Sequence, residues 1–324
     1  MHKQMEHPDI LEVRDLRTWF PVKRGVFSKT IGYVRAVDGV TFSVRKGEIL
    51  GLVGESGCGK TTLGRTLVGL ESPQSGDILF AGKDIFKFAA DRSGEFRKKM
   101  QIIFQDPLSS LNPRMNVMDI VTEGLAEFKM LDKSRKEHAV KIVKDVGMDE
   151  DCLFRYPHEF SGGQRQRINI ARAISLHPDF IVCDEPVSAL DVSVQAQVIN
   201  LLMDLRDRFN LSYLFISHDL SVVHHIANRT AVMYLGKFAE YGPTGELISN
   251  PLHPYSKALI SSVPTPGVHT ENRIVLQGEI PSPSSPPPGC RFHTRCPYAM
   301  ATCRSTEPEG VEINGHRVWC HLYR

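Results

Sequence analysis

The chain has 324 residues, of which 41% are hydrophobic and 23% are charged, a balance typical of a globular protein. Its formal net charge is only +2, so the bulk charge gives no indication of a nucleic-acid partner. No apolar run reaches the ~18–20 residues of a membrane helix, and residues 1–8 lack the apolar core of a secretion signal. We therefore expect a chain that neither crosses a membrane nor is secreted, and that needs a partner for any membrane role.

The predicted elements alternate between strands and helices along the chain. In order they are strands at 11–13, 40–44 and 49–53, a helix at 60–70, a strand at 78–80, mostly helical structure at 119–150, and strands at 180–183 and 213–216. Leu63, Leu67 and Leu70 fall on one face of the helix at 60–70. The amphipathic helix between the last two strands carries its apolar residues at Val198, Leu201, Leu202 and Leu205. Such a strand–helix–strand crossover predicts a core sheet that is largely parallel.

A glycine-rich loop follows the predicted strand at 49–53. Residues 54–61, with the sequence GESGCGKT, fit the pattern G-x-x-x-x-G-K-[ST] in full. The glycines let successive backbone N–H groups turn inward around a phosphate, and the following helix adds the positive end of its dipole. Lys60 is placed to reach the β- and γ-phosphates, and the Thr61 hydroxyl is placed to ligate Mg²⁺. The loop therefore predicts ATP binding. Cys58 lies at a variable position, and we assign it no chemistry.

Two carboxylates and a histidine follow the buried strands. Asp184 and Glu185 come directly after the strand at 180–183, and His218 follows the strand at 213–216. Ligands of open parallel sheets bind beyond the carboxyl ends of the strands. Asp184 is therefore expected to hold Mg²⁺ through water, Glu185 to activate the attacking water, and His218 to face the γ-phosphate.

A second anion site is predicted where Ser161, Gly162 and Gly163 open a helix. One nucleotide has one γ-phosphate, which the glycine-rich loop already serves. We therefore expect this helix end to bind the nucleotide of another subunit, in a dimer that closes over ATP. An ordinary serine N-cap is the alternative explanation.

The C-terminal part begins with a segment, 281–288, that has five prolines in eight positions and is predicted to be an extended linker. The cysteines Cys290, Cys296, Cys303 and Cys320 follow, with five, six and sixteen residues between successive members. These intervals are looser than the usual C-x₂₋₄-C pairs of structural zinc sites, and four thiolates also suit a [4Fe–4S] cluster. The spacing alone does not distinguish between three states of these cysteines: an iron–sulfur cluster, a zinc site and unliganded thiols. His293 and His316 are predicted to be surface histidines rather than ligands.

These motifs together resemble the nucleotide-binding subunits of ABC transporters over about residues 10–250. The resemblance identifies the glycine-rich loop as Walker A, residues 181–185 as Walker B and His218 as the switch histidine. Gln105 matches the Q-loop glutamine, which in the family contacts Mg²⁺ and senses the membrane partner. The signature corresponds to Ser161, Gly162, Gly163 and Gln164, with Phe160 where many members have leucine, and Asp191 belongs to the D-loop.

The resemblance implies a set of site residues. The implied ATP-binding residues are Gly54, Glu55, Ser56, Gly57, Cys58, Gly59, Lys60, Thr61, Thr62 and Gln105. The implied Mg²⁺ ligands are Thr61, Gln105 and Asp184, and the implied catalytic residues are Glu185 and His218. The family stacks an aromatic residue on adenine; because 21–36 looks inserted, Phe20 and Tyr33 both remain candidates.

A narrower resemblance concerns the two ends of the chain. Residues 250–259 and 289–297 are similar to the tail of oligopeptide, dipeptide and nickel importer ATPases, and 20–25 to the second ATPase type of those importers. This implies a sister ATPase, two membrane permease subunits, an extracytoplasmic peptide-binding protein and a peripheral position on the cytoplasmic face of the inner membrane. It also favours iron–sulfur, held by the four cysteines. The alternatives are import of nickel or another small solute, and a soluble ABC-type ATPase of DNA repair or translation.

The predicted fold class is α/β. It comprises a P-loop NTPase (RecA-like) core with a largely parallel sheet, an antiparallel β subdomain, an α-helical signature subdomain and a small metal-binding tail. The predicted boundaries are 10–250 for the ATPase domain, with its helical subdomain at about 106–165, then 251–288 for the extension and linker, and 289–324 for the tail.

Overall fold

A computed structural model describes residues 9–25, 28–86, 94–132, 134–262 and 274–323. The chain divides into two compact units. Unit 1 consists chiefly of Ile85–Leu214 together with Val44–Glu48, and unit 2 consists of Leu11–Ser43, Ile49–Asp84 and Phe215–Arg324. The cysteine-rich tail thus lies in the same unit as the glycine-rich loop.

Unit 2 contains an antiparallel sheet, as predicted. Its strands, in the order β2-β1-β4-β5, are β1 (Asp9–Arg24), β2 (Lys29–Arg45), β4 (Ser75–Phe80) and β5 (Lys83–Asp84). The predicted strands at 11–13 and 40–44 are only parts of β1 and β2. Most of the residues beyond them are half-buried or exposed, so the apolar alternation that marks a strand in sequence is weak there.

Five further hydrogen-bonded strands in unit 2 belong to a larger sheet and carry the glycine-rich loop. Its strands, in the order β11-β12-β10-β9-β3, are β3 (Ile49–Val53), β9 (Arg229–Tyr234), β10 (Lys237–Pro243), β11 (Val311–Ile313) and β12 (His316–Val318). β3 and β9 are parallel, and the remaining pairs are antiparallel. Leu235 and Gly236 both have positive φ angles, 43° and 80°, which suits the tight turn between β9 and β10. Because β12 pairs with β10, the tail extends this sheet.

The helices described in unit 2 are short. They are α1 (Lys60–Leu67), α8 (Leu220–Ile226), α9 (Thr244–Ser249) and α10 (Pro254–Ser261), with 3₁₀ turns at Ala301–Arg304 and His321–Tyr323. Leu63 and Leu67 are fully buried on α1 as predicted, but Leu70 is 56% exposed, so its predicted position on the same face is wrong. The reason is Gly69, whose φ of 74° ends the helix before Leu70.

Unit 1 combines parallel strands with most of the larger helices. β6 (Met100–Ile103) and β7 (Phe180–Asp184) pair in parallel, and β8 (Ser212–Ile216) lies next to β7. The helices are α2 (Glu95–Lys99), α3 (Pro107–Ser110), α4 (Val117–Glu127), α5 (Arg135–Asp145), α6 (Gly162–Ile174) and α7 (Val192–Phe209), with 3₁₀ turns at Glu150–Phe154 and Pro157–Glu159. The predicted helical segment and crossover helix are therefore present, and α7 buries Val198, Leu202 and Leu205 as its apolar spacing predicted. In the part of the chain described here, no helix has both the length and the apolarity to cross a bilayer.

Candidate functional site

The glycine-rich loop connects β3 to α1 and packs tightly against neighbouring backbone. Gly54 has a φ of 155° and Gly59 a φ of 110°, so both adopt conformations that glycine favours. A Cβ atom on Gly54 would lie 2.2 Å from the Met233 carbonyl oxygen, and one on Gly59 would lie 2.0 Å from that of Ala36. Any larger residue would displace the loop, so these two glycines are fixed by packing as well as by backbone angle.

Lys60 places a positive charge inside this loop. Its side chain is buried, and Nζ donates hydrogen bonds to the carbonyl oxygens of Gly54, at 2.8 Å, and Glu55, at 3.1 Å. α1 begins at Lys60, so the positive end of its dipole points the same way. A buried ammonium group and a helix N-terminus together form a binding site for an anion such as a phosphate. Thr61 and Thr62, both half-buried, complete the first turn.

The Cys58 thiol is buried, and burial raises its pKa, so it stays protonated at neutral pH. The place of Cys58 among the ATP-binding residues of the loop stays a prediction.

In unit 1, the residues at the end of β7 come together with Gln105. Asp184 is the last residue of β7 and is buried, and Glu185 follows it with a φ of 46°, in the left-handed region. A non-glycine residue there costs roughly 1–2 kcal/mol, a strain that is concentrated at functional sites. Gln105 Nε2 donates a hydrogen bond to Glu185 Oε2 at 3.0 Å. The structure thus joins the predicted base and the predicted Q-loop glutamine.

Ser161 begins α6 as its N-cap. Its Oγ accepts a hydrogen bond from the Gln164 N–H at 3.4 Å, and the Gln164 side chain accepts one from the Ser161 N–H at 3.0 Å. A Cβ atom on Gly163 would lie 2.5 Å from Val194 Cγ1, so this glycine allows α6 to approach α7 closely. Ser161 and Gly163 therefore have structural roles, and anion binding at this helix end stays a prediction.

Asp191 is the N-cap of α7. Its Oδ1 accepts hydrogen bonds from the Ser193 hydroxyl at 2.7 Å and from the Val194 N–H at 3.0 Å. Both bonds favour the ionised form and lower the pKa of this carboxyl. Its D-loop role stays a prediction.

The remaining predicted ATP-site residues lie in unit 2. His218 follows the end of β8 by two residues and is exposed, at the strand end where it was expected. Phe20 is half-buried on β1, whereas Tyr33 on β2 is 41% exposed, with its ring centroid 6.0 Å from that of Trp19. These positions do not distinguish between the two aromatic residues, so adenine stacking stays a prediction for both.

The four tail cysteines are free thiols, with Cys303 and Cys320 buried and the other two half-buried. Burial above all, with smaller contributions from the other three tail thiols, raises the pKa of Cys290 to about 11. Within the described ranges, which include all four cysteines, no three His, Cys, Asp or Glu side chains converge closely enough to hold one metal ion. The predicted metal-binding tail is therefore not shown by the structure.

The predicted surface position of His316 is wrong. It is 2% exposed, and its Nδ1 lies 3.1 Å from Glu240 Oε1. Glu240 is fully buried and also accepts hydrogen bonds from the N–H groups of Leu252 and His253, each at 2.9 Å. A buried carboxylate needs such partners, so His316 joins the tail to β10.

Two contacts of the glycine-rich loop could not be predicted from the sequence. Arg295 of the tail donates two hydrogen bonds to the Glu55 carboxylate, from Nη1 at 2.7 Å and from Nη2 at 3.1 Å. The Tyr255 hydroxyl of α10 accepts a hydrogen bond from the Glu55 N–H at 2.8 Å. Nothing in the sequence indicates these pairs, because 200 or more positions separate their members.

Comparison with known proteins shows which families the chain resembles. The profile of the ABC transporter family matches residues 37–188, and that of the oligopeptide/dipeptide transporter C-terminal region matches residues 239–303. The oligopeptide transport ATP-binding protein AppF of Bacillus subtilis is 53% identical over 97% of this chain and 97% of its own. The dipeptide transport ATP-binding protein DppF of Escherichia coli is 48% identical over 96% of this chain and 93% of its own.

Solved structures share the fold over about three quarters of the chain. The ATP-binding cassette MJ0796, in a dimeric post-hydrolysis state with ADP and phosphate, aligns with a TM-score of 0.64 at 23% identity, covering 72% of this chain and 98% of its own. CbiO1 of Clostridium perfringens, part of an ABC transporter complex, aligns with a TM-score of 0.63 at 26% identity, covering 75% and 91%. These similarities show that the chain shares the fold of an ATP-binding cassette.

Proposed function

This chain belongs to the ATP-binding subunits of oligopeptide and dipeptide ABC transporters, and from that membership we propose that it hydrolyses ATP to drive peptide import. The observation that carries the proposal is 53% identity over 97% of both chains with an oligopeptide transport ATP-binding protein. The loop geometry supports it independently, since a buried lysine and a helix N-terminus form a phosphate site. The relatives compared above are named for peptides, which favours peptide over nickel as the transported solute. Family membership also argues against a role in DNA repair or translation.

Each motif has a proposed role in hydrolysis. Lys60 neutralises charge on the β- and γ-phosphates, and Glu185 accepts a proton from the attacking water. His218 stabilises the γ-phosphate as it leaves. The proposed Mg²⁺ ligands are Thr61, Gln105 and Asp184. All three side chains carry oxygen atoms, which this cation prefers as ligands. Gln105 uses its Nε2 on Glu185, which leaves its amide oxygen for the cation.

We further propose that hydrolysis takes place in a dimer with a sister ATPase. Ser161 and the first turn of α6 would bind the γ-phosphate of the nucleotide held by the other subunit, and Asp191 would lie at the subunit interface. Two membrane permeases and an extracytoplasmic peptide-binding protein would complete the importer. The chain would then act at the cytoplasmic face of the inner membrane.

Ser161→Asp separates the capping role of this residue from its proposed role with phosphate. Aspartate is as good an N-cap as serine, so α6 should keep its stability. A negative charge at that position would repel the γ-phosphate, and we expect ATP turnover of the assembled transporter to fall by about tenfold or more. Unfolding by urea and phosphate release measure the two properties on the same protein.

The matched control is Ser134→Asp, which changes the N-cap of α5 in the same way. It should leave turnover unchanged. If Ser161→Asp hydrolyses ATP at the original rate, Ser161 is an N-cap and no more, and the proposed site at the dimer interface is wrong.

The proposed partners can be identified directly. An affinity-tagged chain, purified in mild detergent from the cell that produces it, should bring down one different ATPase chain and two permease chains. Mass spectrometry of the intact complex gives their stoichiometry. Recovery of a complex in which both ATPase positions are occupied by this chain would contradict the proposed heterodimer.

For the tail we propose a [4Fe–4S] cluster on Cys290, Cys296, Cys303 and Cys320, with zinc as the alternative. Each of the other three thiols contributes to the raised pKa of Cys290, so the four lie within electrostatic reach of one another. The spacing of these cysteines is looser than the C-x₂₋₄-C pairs of structural zinc sites, which favours a cluster over one zinc ion. When bound, the cluster would cross-link a tail with few large apolar residues.

Cys303→Ser tests this proposal. Anaerobic purification should give a brown wild-type protein that contains iron and sulfide, and the variant should lose both. Cys152→Ser, which alters a buried cysteine of unit 1, is the control and should retain them. A colourless wild-type protein with one zinc ion would favour the alternative, and a metal-free one would exclude both.

A further inference from the structure

Glu55, the second residue of the phosphate-binding loop, is fixed at three points. Arg295 binds its carboxylate through two hydrogen bonds of 2.7 and 3.1 Å. The Tyr255 hydroxyl binds its N–H at 2.8 Å, and Lys60 Nζ binds its carbonyl oxygen at 3.1 Å. Two of these three partners belong to the part of the chain that follows residue 250. The conformation of the loop therefore depends on the C-terminal region.

The pair of Arg295 and Glu55 is well shielded from water. The Arg295 side chain is 8% exposed and the Glu55 side chain 24%. The guanidinium lies 6.0 Å from the centroid of the Tyr234 ring. Two parallel hydrogen bonds between a guanidinium and a carboxylate are stronger and more directional than a single one, and burial reduces their screening. Such a pair can hold a loop in one conformation.

The segment that carries Arg295 is itself anchored. Arg291 is buried and forms an ion pair with Asp38, and it also donates a hydrogen bond to the Leu235 carbonyl oxygen. Phe292 packs between Tyr234 and Tyr255, with ring centroids 5.2 and 5.3 Å away. Because the base of this segment is fixed by a buried ion pair and an aromatic cluster, Arg295 approaches the loop from a rigid support.

We propose that Arg295 is a positioning residue for ATP binding, which holds Glu55 and thereby keeps the phosphate-binding loop in its binding conformation. Arg295 also neutralises the Glu55 carboxylate, which would otherwise repel the phosphates from a position close to Lys60. The cysteine-rich tail thus contributes to the nucleotide site through an arginine that acts on the loop. This inference rests on the proposed function, since it assumes that the loop binds ATP.

The test compares binding of a fluorescent ATP analogue, mant-ATP, with Mg²⁺ to full-length variants. Arg295→Ala is expected to weaken binding about tenfold, the effect of losing one charged hydrogen-bond partner. Arg295→Lys, which keeps the charge but not the paired geometry, should fall in between. In the assembled transporter, Arg295→Ala should raise the KM for ATP and leave kcat nearly unchanged, because Arg295 does not act on the reacting atoms.

A double-mutant cycle shows whether Arg295 affects ATP binding by way of its contact with Glu55. Adding Glu55→Gln to Arg295→Ala should cause no further loss, since the partner is already gone. Arg304→Ala, which alters an exposed arginine of the same tail, is the control and should bind normally. If Arg295→Ala does not fold, the single variant Glu55→Gln still tests the proposal. It weakens the ion pair between Glu55 and Arg295 by changing the loop residue, and it should reduce the affinity for mant-ATP.

Unchanged affinity of Arg295→Ala for mant-ATP would overturn the inference. If Arg295→Ala does not fold, unchanged affinity of Glu55→Gln would overturn it instead. Losses that multiply in the double variant would also overturn it, because Arg295 would then act independently of Glu55. Failure of the wild-type protein to bind mant-ATP would instead refute the proposed function, so the two failures are distinguishable.

Discussion

Glu185→Gln is expected to bind ATP normally and to hydrolyse it about 10²- to 10⁴-fold more slowly, the usual contribution of a positioned general base. The substitution replaces one carboxylate oxygen by an amide nitrogen, so the side chain keeps its shape. It therefore adds no steric clash to the strained backbone of residue 185, where φ is 46°. The amide cannot accept a proton from water. Its remaining oxygen can still accept the hydrogen bond from Gln105, which in the native chain reaches Glu185 Oε2 at 3.0 Å.

Rapid-quench measurement of phosphate release in the assembled transporter tests this prediction, with mant-ATP binding measured in parallel. Glu150→Gln, which alters an exposed glutamate of unit 1, is the matched control and should turn over ATP at the wild-type rate. Hydrolysis by Glu185→Gln at that same rate would exclude Glu185 as the base. Loss of nucleotide binding in this variant would also contradict the account, because the proposed role concerns catalysis alone.

Lys60→Ala is expected to weaken ATP binding by about 100-fold, since it removes a charged hydrogen-bond partner from two negatively charged phosphates. The native ammonium is buried and held by two carbonyl oxygens of the loop, so its position is fixed before ATP arrives. Such preorganisation means that little entropy is lost on binding. Removal of the side chain therefore affects affinity strongly.

Titration with mant-ATP measures this loss directly, and far-UV circular dichroism establishes that the variant is folded. Lys46→Ala, at an exposed turn lysine, is the control for removing one positive charge. If Lys60→Ala binds ATP as tightly as that control, the loop does not bind phosphate through Lys60. We expect a large difference in ATP affinity between the two variants.

The local motifs were predictable because their residues are close together in sequence. The loop at 54–61 combines two glycines that packing requires, a lysine and a helix start, and all are visible in eight consecutive positions. The buried strands β3, β7 and β8 are short apolar runs, which sequence reveals well. The end of α1 was missed because Gly69 ends the helix, whereas the leucine spacing continues to Leu70.

Long-range pairs were not predictable from one sequence. The partner of Glu55 is Arg295, 240 positions away, and neither residue has a local pattern that distinguishes it from a surface charge. The same holds for His316, which is buried against Glu240 although a histidine in a polar tail suggests exposure. Burial of charged residues depends on which strands pair. The pairing of β12 with β10 could not be predicted, because β12 has only three residues of mixed polarity.

ATP-driven peptide transport is the measurement that tests the proposed function most directly. Membrane vesicles that contain the complete transporter are oriented with the ATPase side outward. The peptide-binding protein and a radiolabelled dipeptide are enclosed inside, and ATP is supplied in the medium. We expect the wild-type transporter to move this dipeptide into the medium only with ATP and Mg²⁺, and we expect Glu185→Gln to abolish transport. Equal transport by the two proteins, or movement of the dipeptide without ATP, would contradict the proposed function.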